Sequence, residues 1–418
     1  MRGTSFSAGA PSRAAGAGPA AGPVILIDWD GVDPGYLDRH LDSRLPHLRS
    51  LAAAGVRGVA SCTYKAVSNP NRASLATGAR PAVHGNAAYV LHPATGRATG
   101  QTRRLAAETL AQSLRRQGRT VLAAGWYIVW SKGAAYGDPG ALYTQGATWE
   151  ENVETVVRAL RGRPVRSGGR RLEPPRPPDL IAAYAADIDA IGHREGPWSG
   201  RIPPRLAELD AGLGRILDAA RAAGARDRAA FVVVSDHGMT GYTHSLEPRV
   251  LEALAEAGFS ARRLHSGHSP DPGTEVVLTA SPRTANVYLR GGAATEEGRA
   301  RVEAMLRGLP ELEGVRNRAE LEALGAAPAE GDFTIEARPP YAFVDPARAD
   351  GRERGGHSSL REGRAPLILS GAGIAPGRRL DAPRIIDVAP TISHLLGVRA
   401  PSGAEGRVLT EALLDTPP

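Results

Sequence analysis

Cysteine is almost absent: Cys62 is the only one among 418 residues. That excludes a disulfide framework and any thiolate-built zinc or iron–sulfur cluster. Lysine is nearly as scarce. With only Lys65 and Lys132 present, the net charge of +7 is carried almost wholly by arginine. Aromatic residues are 5% of the chain, and no basic element is interleaved with them as a nucleic-acid surface requires. Long apolar runs are missing too. None approaches the roughly 20 residues of a membrane span, and none before Pro23 has the roughly 7–15 residues of a secretory signal core. These absences predict a soluble, cytoplasmic protein with no nucleic-acid polymer and no membrane among its partners.

What is present argues for a large folded unit. Hydrophobic residues make up 42% and charged residues 23%, enough to bury a sizeable core. Ala, Gly, Arg and Pro recur throughout. Met1–Gly22 reads as a disordered leader, and Arg161–Arg171 running into Pro174–Pro178 as a solvated loop. From Pro23 onward, short apolar runs alternate with amphipathic stretches. Strands are expected at Val24–Ile27, Thr120–Ala124 and Phe231–Val234, helices at Leu48–Ala54, Glu151–Leu160 and Leu206–Ala222, and Leu180–Ala186 is a further apolar run. Strands separated by helices imply a mainly parallel sheet covered on both faces, an α/β/α sandwich over residues 23–418. The stretch from about 251 to 347, with a helix near Arg299–Leu306 and short strands near Glu275–Leu278 and Asn286–Leu289, reads as a smaller inserted cap subdomain.

In such sheets the ligand lies at the carboxyl ends of the strands, so the polar residues there matter most. Phe231–Val234 runs into Ser235, Asp236, His237 and Gly238; Val24–Ile27 runs into Asp28, Trp29, Asp30 and Gly31. Asp189 and His193 are four apart, which puts both on one face of a helical turn, with Asp187 as a rival carboxylate. Gly355-Gly356-His357 comes late, before the apolar Pro366–Leu369. Each alone has an ordinary alternative, such as a helix cap or a surface pair. Together, carboxylates and imidazoles from four elements would suffice for two divalent ions. A fifth element is Ser68-Asn69-Pro70-Asn71-Arg72. Pro70 suits a first helical turn, which puts Ser68 just ahead of a helix N-terminus. There it is either a cap or a nucleophile.

The order Asp30-Gly31, Ser68-x-Pro70-Asn71, Thr77-Gly78…Pro81…His84-Gly85, Asp189-x-x-x-His193, Asp236-His237-Gly238-Met239 and His357 resembles the alkaline phosphatase superfamily. Within it, the nucleotide pyrophosphatase/phosphodiesterase and phosphonoacetate hydrolase branch is the most similar. The resemblance implies two metal ions, zinc by expectation. Asp189, His193 and His357 would hold one; Asp30, Asp236 and His237 would hold the other, with Ser68 beside it as ligand and nucleophile. Asp28 is the alternative to Asp30, but the family's aspartate precedes the glycine. The resemblance further implies a phospho-seryl intermediate and an asparagine gripping a phosphoryl oxygen, for which Asn86 is the candidate.

Three activities compete. Gly192-His193-x-x-Gly196-Pro197 is similar to the phosphodiesterase group, and Trp126 and Tyr89 offer stacking surfaces for a base or ring. The carbon–phosphorus hydrolase reading rests on Asp30–Leu37 and Ser68–Asn71, but the lysine pair expected to hold a substrate carboxylate is missing near Gly125–Ile128. Ser68-x-Pro70-x-Arg72 also resembles a sulfatase signature, without the lysines that family uses. A degenerate, inactive homologue is the remaining alternative. The expectation is a two-metal phosphodiesterase acting on a small phosphoester, with a phosphonate as the alternative substrate.

Overall fold

The computed structural model describes residues 22–173, 177–225 and 227–414. Apart from Gly22, the expected leader lies outside these residues, as does part of the Pro174–Pro178 run.

Twelve strands form the two larger sheets among the described residues. In chain order they are β1 (Val24–Trp29), β2 (Gly55–Ser61), β3 (Val121–Ala124), β4 (Ala141–Thr144), β5 (Leu180–Ala185), β6 (Ala230–Val234), β7 (Ala261–Arg263), β8 (Val276–Ala280), β9 (Thr284–Leu289), β10 (Leu312–Asn317), β11 (Phe333–Ala337) and β12 (Arg364–Gly371). The central sheet has the order β2-β12-β6-β1-β5-β3-β4. β12 runs antiparallel to both its neighbours, and the other pairings are parallel. β1 and β6 are apolar on both faces and buried at every position, which is the signature of strands covered from above and below.

Helices supply that cover. α1 (Pro34–Arg44), α2 (Pro46–Ala53), α5 (Trp149–Leu160) and α7 (Ile202–Ala222) pack on one face, through Leu37, Leu48, Val153 and Leu213. α3 (Ser68–Thr77), α4 (Leu110–Arg116) and α10 (Val388–Leu395) pack on the other, through Leu75, Leu114 and Ile392. α6 (Asp187–Glu195) follows β5 directly. The helix starts follow from local chemistry. Asp33 caps α1, accepting from Gly35 N at 2.8 Å ahead of Pro34, and Thr148 caps α5, with Glu150 and Glu151 facing the positive end of the helix.

Strands β7–β11 form the second sheet, in the order β7-β8-β9-β11-β10. With α8 (Glu247–Glu256) and α9 (Glu296–Arg307) they enclose an apolar core of their own, including Val250, Leu278, Val287, Leu306 and Ile335. Arg161–Arg171 differs from its expectation as a loop. Val165–Ser167 and Arg170–Leu172 pair antiparallel as a hairpin, whose Gly168 and Gly169 both adopt positive φ at the turn. Its arginines obscured a short alternating pattern in which Val165 and Ser167 point inward.

Candidate active site

The strand order explains why the site exists. β6, β1 and β5 are neighbours, and each ends in aspartates: Asp236, then Asp28 and Asp30, then Asp187 and Asp189. Backbone and side-chain bonds lock the three ends together. Asp189 N donates to Asp30 O at 3.2 Å, Gly31 N to Asp236 Oδ1 at 3.2 Å, and Val32 N to Ser235 Oγ at 2.9 Å. Gly31 is required here. Its φ is +69°, and an added Cβ would lie 2.9 Å from Asp189 Cα.

One group of donors is Asp189, His193 and His357. Asp189 and His193 sit one turn apart on α6, with Oδ1 and Nε2 3.3 Å apart. His357 follows the short strand Arg354–Gly356, and its Nε2 lies 3.6 Å from Asp189 Oδ1 and 3.2 Å from His193 Nε2. The second group is Asp30, Asp236 and His237. His237 Nε2 lies 3.5 Å from Asp30 Oδ1, 3.2 Å from Asp236 Oδ2 and 3.0 Å from Ser68 Oγ. The groups adjoin, for the His237 and His357 rings stack at 3.7 Å.

These residues fit a pair of metal ions. A tetrahedral ion with bonds of about 2.0–2.1 Å sets its ligand atoms about 3.3–3.4 Å apart, and both groups lie near that spacing. Each imidazole presents Nε2 inward while its Nδ1 faces a backbone carbonyl: Gly355 O for His193, Ala66 O for His357, Gly238 O for His237. That second bond fixes tautomer and ring orientation as metal ligands need. Asp30 Oδ1, Asp189 Oδ1 and Asp236 Oδ2 are buried without hydrogen-bond partners. An uncompensated buried carboxylate oxygen is costly; Asp236 Oδ2 has the Arg72 guanidinium at ion-pair distance, and a metal cation would satisfy Asp30 Oδ1 and Asp189 Oδ1.

Burial pulls His237 down to about 4 and His357 well below the usual imidazole range, so both are neutral and free to ligate. Burial and the nearby Asp30 push Asp189 up to about 7, and burial raises Asp236 well above its ordinary value. Burial would raise Asp30 too, but Arg72 and His237 overcome it and hold that carboxyl low.

Ser68 differs in one detail from its expected placement. Val67 is the N-cap of α3 and Ser68 its first helical residue. The hydroxyl caps nothing and points at His237. The rival carboxylates are accounted for: Asp187 pairs with Arg205 at 2.9 Å and Asp28 with Arg72 at 2.8 Å. Arg72 is the residue that sequence reasoning missed at this site. It is fully buried, its Nη2 lying 2.8 Å from Asp30 Oδ2 and 3.1 Å from Asp236 Oδ2. Tyr184 Oη also donates to Asp30 Oδ2, at 2.6 Å.

The expected substrate contacts divide. Tyr89 lines a cavity of about 310 Å³ that opens beside His193 and His357, together with Gln101, Arg194, Tyr242, Arg348 and Arg354. Trp126 must be corrected: it is fully buried, its Nε1 donating to Asp28 Oδ2 at 3.0 Å, which leaves no ring face for a substrate. Asn86 is corrected as well, because its amide donates to Thr102 O and Arg104 O and is spent on holding that segment. A larger cleft of about 1000 Å³ lies between α5 and the Val165–Leu172 hairpin, and no residue of the cluster lines it.

A sandwich of this kind, with imidazole and carboxylate donors gathered at the ends of its middle strands, is an α/β protein with a candidate metal site. The chain belongs to the type I phosphodiesterase/nucleotide pyrophosphatase family, whose model matches residues 24–359. Venom phosphodiesterase of Macrovipera lebetinus is 24% identical over 234 residues, covering 52% of this chain and 25% of that protein. The match thus spans about a quarter of this curated relative. Among solved structures, human ectonucleotide pyrophosphatase/phosphodiesterase 5 superposes with a TM-score of 0.69 at 18% identity, over 90% of this chain and 96% of the other. Phosphonoacetate hydrolase from Sinorhizobium meliloti, in complex with phosphonoacetate, gives 0.66 at 19% identity, over 91% and 96%. The murine counterpart of the human protein, solved in complex with AMP, matches at 0.69 and 18%, over 91% and 96%. These likenesses show the fold.

Proposed function

We propose that this chain is a metal-dependent hydrolase of phosphodiesters and nucleotide pyrophosphates, with Ser68 as nucleophile. The observation that carries the reading is the Ser68 hydroxyl, uncapped and 3.0 Å from His237 Nε2 at the edge of six converging donors. Two divalent ions, zinc being suited to this nitrogen and oxygen set, would lower the pKa of that hydroxyl and neutralise the phosphoryl oxygens. Ser68 Oγ gives up its proton to solvent and attacks phosphorus in line, forming an O–P bond as the bond to the leaving oxygen breaks. The departing oxygen takes a proton from solvent, leaving phosphoserine. Water then forms its own O–P bond, the Ser68 O–P bond breaks, and the serine regains its proton. His193, His237 and His357 are held rigid by their carbonyl partners throughout, and Tyr184 keeps Asp30 turned inward.

The relatives support a small phosphorus-bearing substrate, AMP being bound in one neighbour and phosphonoacetate in another. The cavity beside His193 would take the substituent that is not attacked. Its Arg194, Arg348 and Arg354, with no carboxylate among the lining residues, also favour a second reading: hydrolysis of a phosphonate that carries a carboxylate. Arginines there would stand in for the missing lysine pair.

A turnover panel on zinc-loaded protein separates the two. Bis(p-nitrophenyl) phosphate and a dinucleotide pyrophosphate are expected to outperform p-nitrophenyl phosphate and phosphonoacetate. Ser68→Ala should lower kcat at least about 1000-fold with metal content unchanged. Retention of more than a tenth of the activity would remove Ser68 as nucleophile, and phosphonoacetate as best substrate would install the second reading.

A further inference from the structure

Arg72 is an unusual neighbour for a metal position, because it brings a permanent positive charge to ligands whose task is to bind positive charge. Its guanidinium is entirely buried. Nε donates to Asp28 Oδ2 at 2.8 Å and Nη1 to Tyr127 Oη at 2.8 Å, and Tyr127 Oη donates onward to Asn69 Oδ1 at 2.8 Å. The rings of Tyr184 and Tyr127 flank it, their centroids 4.5 Å and 5.4 Å from its Cζ. A guanidinium stays charged at any pH a protein meets. Asp28 belongs to this arrangement rather than to the donor cluster, since the oxygen facing Arg72 also accepts from Trp126 Nε1. Asp28 and Arg72 thus form a neutral buried pair whose positive end is aimed at one side of the site.

The placement is lopsided. Arg72 forms ion pairs with Asp30 and Asp236, and none with Asp189. A guanidinium at ion-pair distance draws on the same carboxylate charge that a divalent ion there would use, and like charges in a buried, poorly screened setting repel strongly. We infer that Arg72 makes the two metal positions unequal, so that the Asp189/His193/His357 position binds its ion tightly and the Asp30/Asp236/His237 position binds its ion weakly and exchangeably. Arg72 touches no substrate and acts through the carboxylates, as a positioning residue. The inference rests on the metal-dependent reading above. Its consequence is that competence follows the free metal concentration, because the ion beside Ser68 is the last to bind and the first to leave.

The test is zinc binding to the metal-free full chain, read by competition with a chromophoric chelator. The wild-type protein should show one tight ion per chain and a second at least tenfold weaker. Asp28→Asn keeps the shape and hydrogen bonding of the pair but leaves the guanidinium charge uncompensated; the second ion should weaken by a further threefold or more, with the first unchanged. Asp28→Asn combined with Arg72→Gln removes both charges together, and the second ion should tighten at least tenfold, closing the gap. Two ions of equal wild-type affinity would overturn the inference. So would a gap that survives the double substitution, or an Asp28→Asn protein in which both affinities move together, as a merely structural role requires. Should the double variant fail to fold by circular dichroism, the wild-type and Asp28→Asn outcomes still decide. A wild-type chain that binds no divalent ion would instead sink the metal-hydrolase reading along with this one.

Discussion

Helix α3 separates two buried polar regions that look alike in composition and differ in bookkeeping of hydrogen bonds. On one side lie Asp30, Asp189 and Asp236, with three carboxylate oxygens lacking partners. On the other lies a closed chain. Asn86 N donates to His84 Nδ1 at 3.1 Å, His84 Nε2 meets Ser74 Oγ at 2.9 Å, Ser74 meets Thr63 at 3.0 Å, and Thr63 Oγ1 donates to Asn71 Oδ1 at 2.7 Å. The first region gathers several such oxygens where a cation would be held; the side chains of the second are joined to one another, and of its members Asn86 leaves one oxygen, Oδ1, over. Unsatisfied buried polar groups mark a site, and satisfied ones mark scaffold.

That contrast breaks if changes on the two sides act alike. Asp236→Asn should lower turnover about 1000-fold and release one ion, since an amide ligates far more weakly than a carboxylate. Metal-free thermal stability should hold or rise, because a buried like charge has been removed. Full occupancy of both positions in this variant would take Asp236 out of the cluster. Trp126→Ala should do the reverse. Emptying that buried volume should destabilise the fold by about 3–5 kcal/mol, while the ratio of kcat/KM for aryl over dimethyl-type diesters stays constant. A narrowed ratio would return Trp126 to the substrate.

The third and smallest effect concerns pH. Burial pulls His84 down to about 4, and its Nδ1 already accepts from Asn86, so a proton there would break the chain. The unfolded state, with an imidazole near the ordinary 6.5, binds that proton first. Stability is therefore complete above about 6.5 and is lost as pH falls toward about 4, by about 1–3 kcal/mol. Denaturant midpoints measured across that window should fall less steeply for His84→Gln than for wild type. Parallel curves would mean that His84 is charged in the fold.

Much of this was legible in the sequence because strand ends announce themselves. Val24–Ile27 and Phe231–Val234 are too uniformly apolar to be anything but covered strands, so Asp30, Asp236 and His237 had to emerge at their carboxyl ends. The i,i+4 spacing of Asp189 and His193 likewise survives folding, because both ride one helix. Arg72 was visible only as a letter in a sulfatase-like signature. Nothing in its local sequence shows that the helix would drive it onto the carboxyl ends of β1 and β6. Trp126 misled for the opposite reason: an aromatic residue just past a strand looks the same whether it faces solvent or plugs the core. Arg194, Arg348 and Arg354 converge on one cavity from two distant stretches, and in a chain this rich in arginine no local signal distinguishes them.

The strand order also sets a timetable. β2 joins the central sheet through β12, which is wedged between it and β6, yet the two strands are some 300 residues apart in the sequence. At about 5–20 residues per second on a ribosome, β2 waits on the order of tens of seconds for its neighbour, and Asp30 waits slightly longer for His357. A half-made chain therefore carries an unpaired edge and a cluster of carboxylates without its last imidazole. Only when β12 slots in does β2 gain its neighbour in the sheet. In the cell, the window in which this protein is most exposed to aggregation and to the wrong ion is the interval before its final strand arrives.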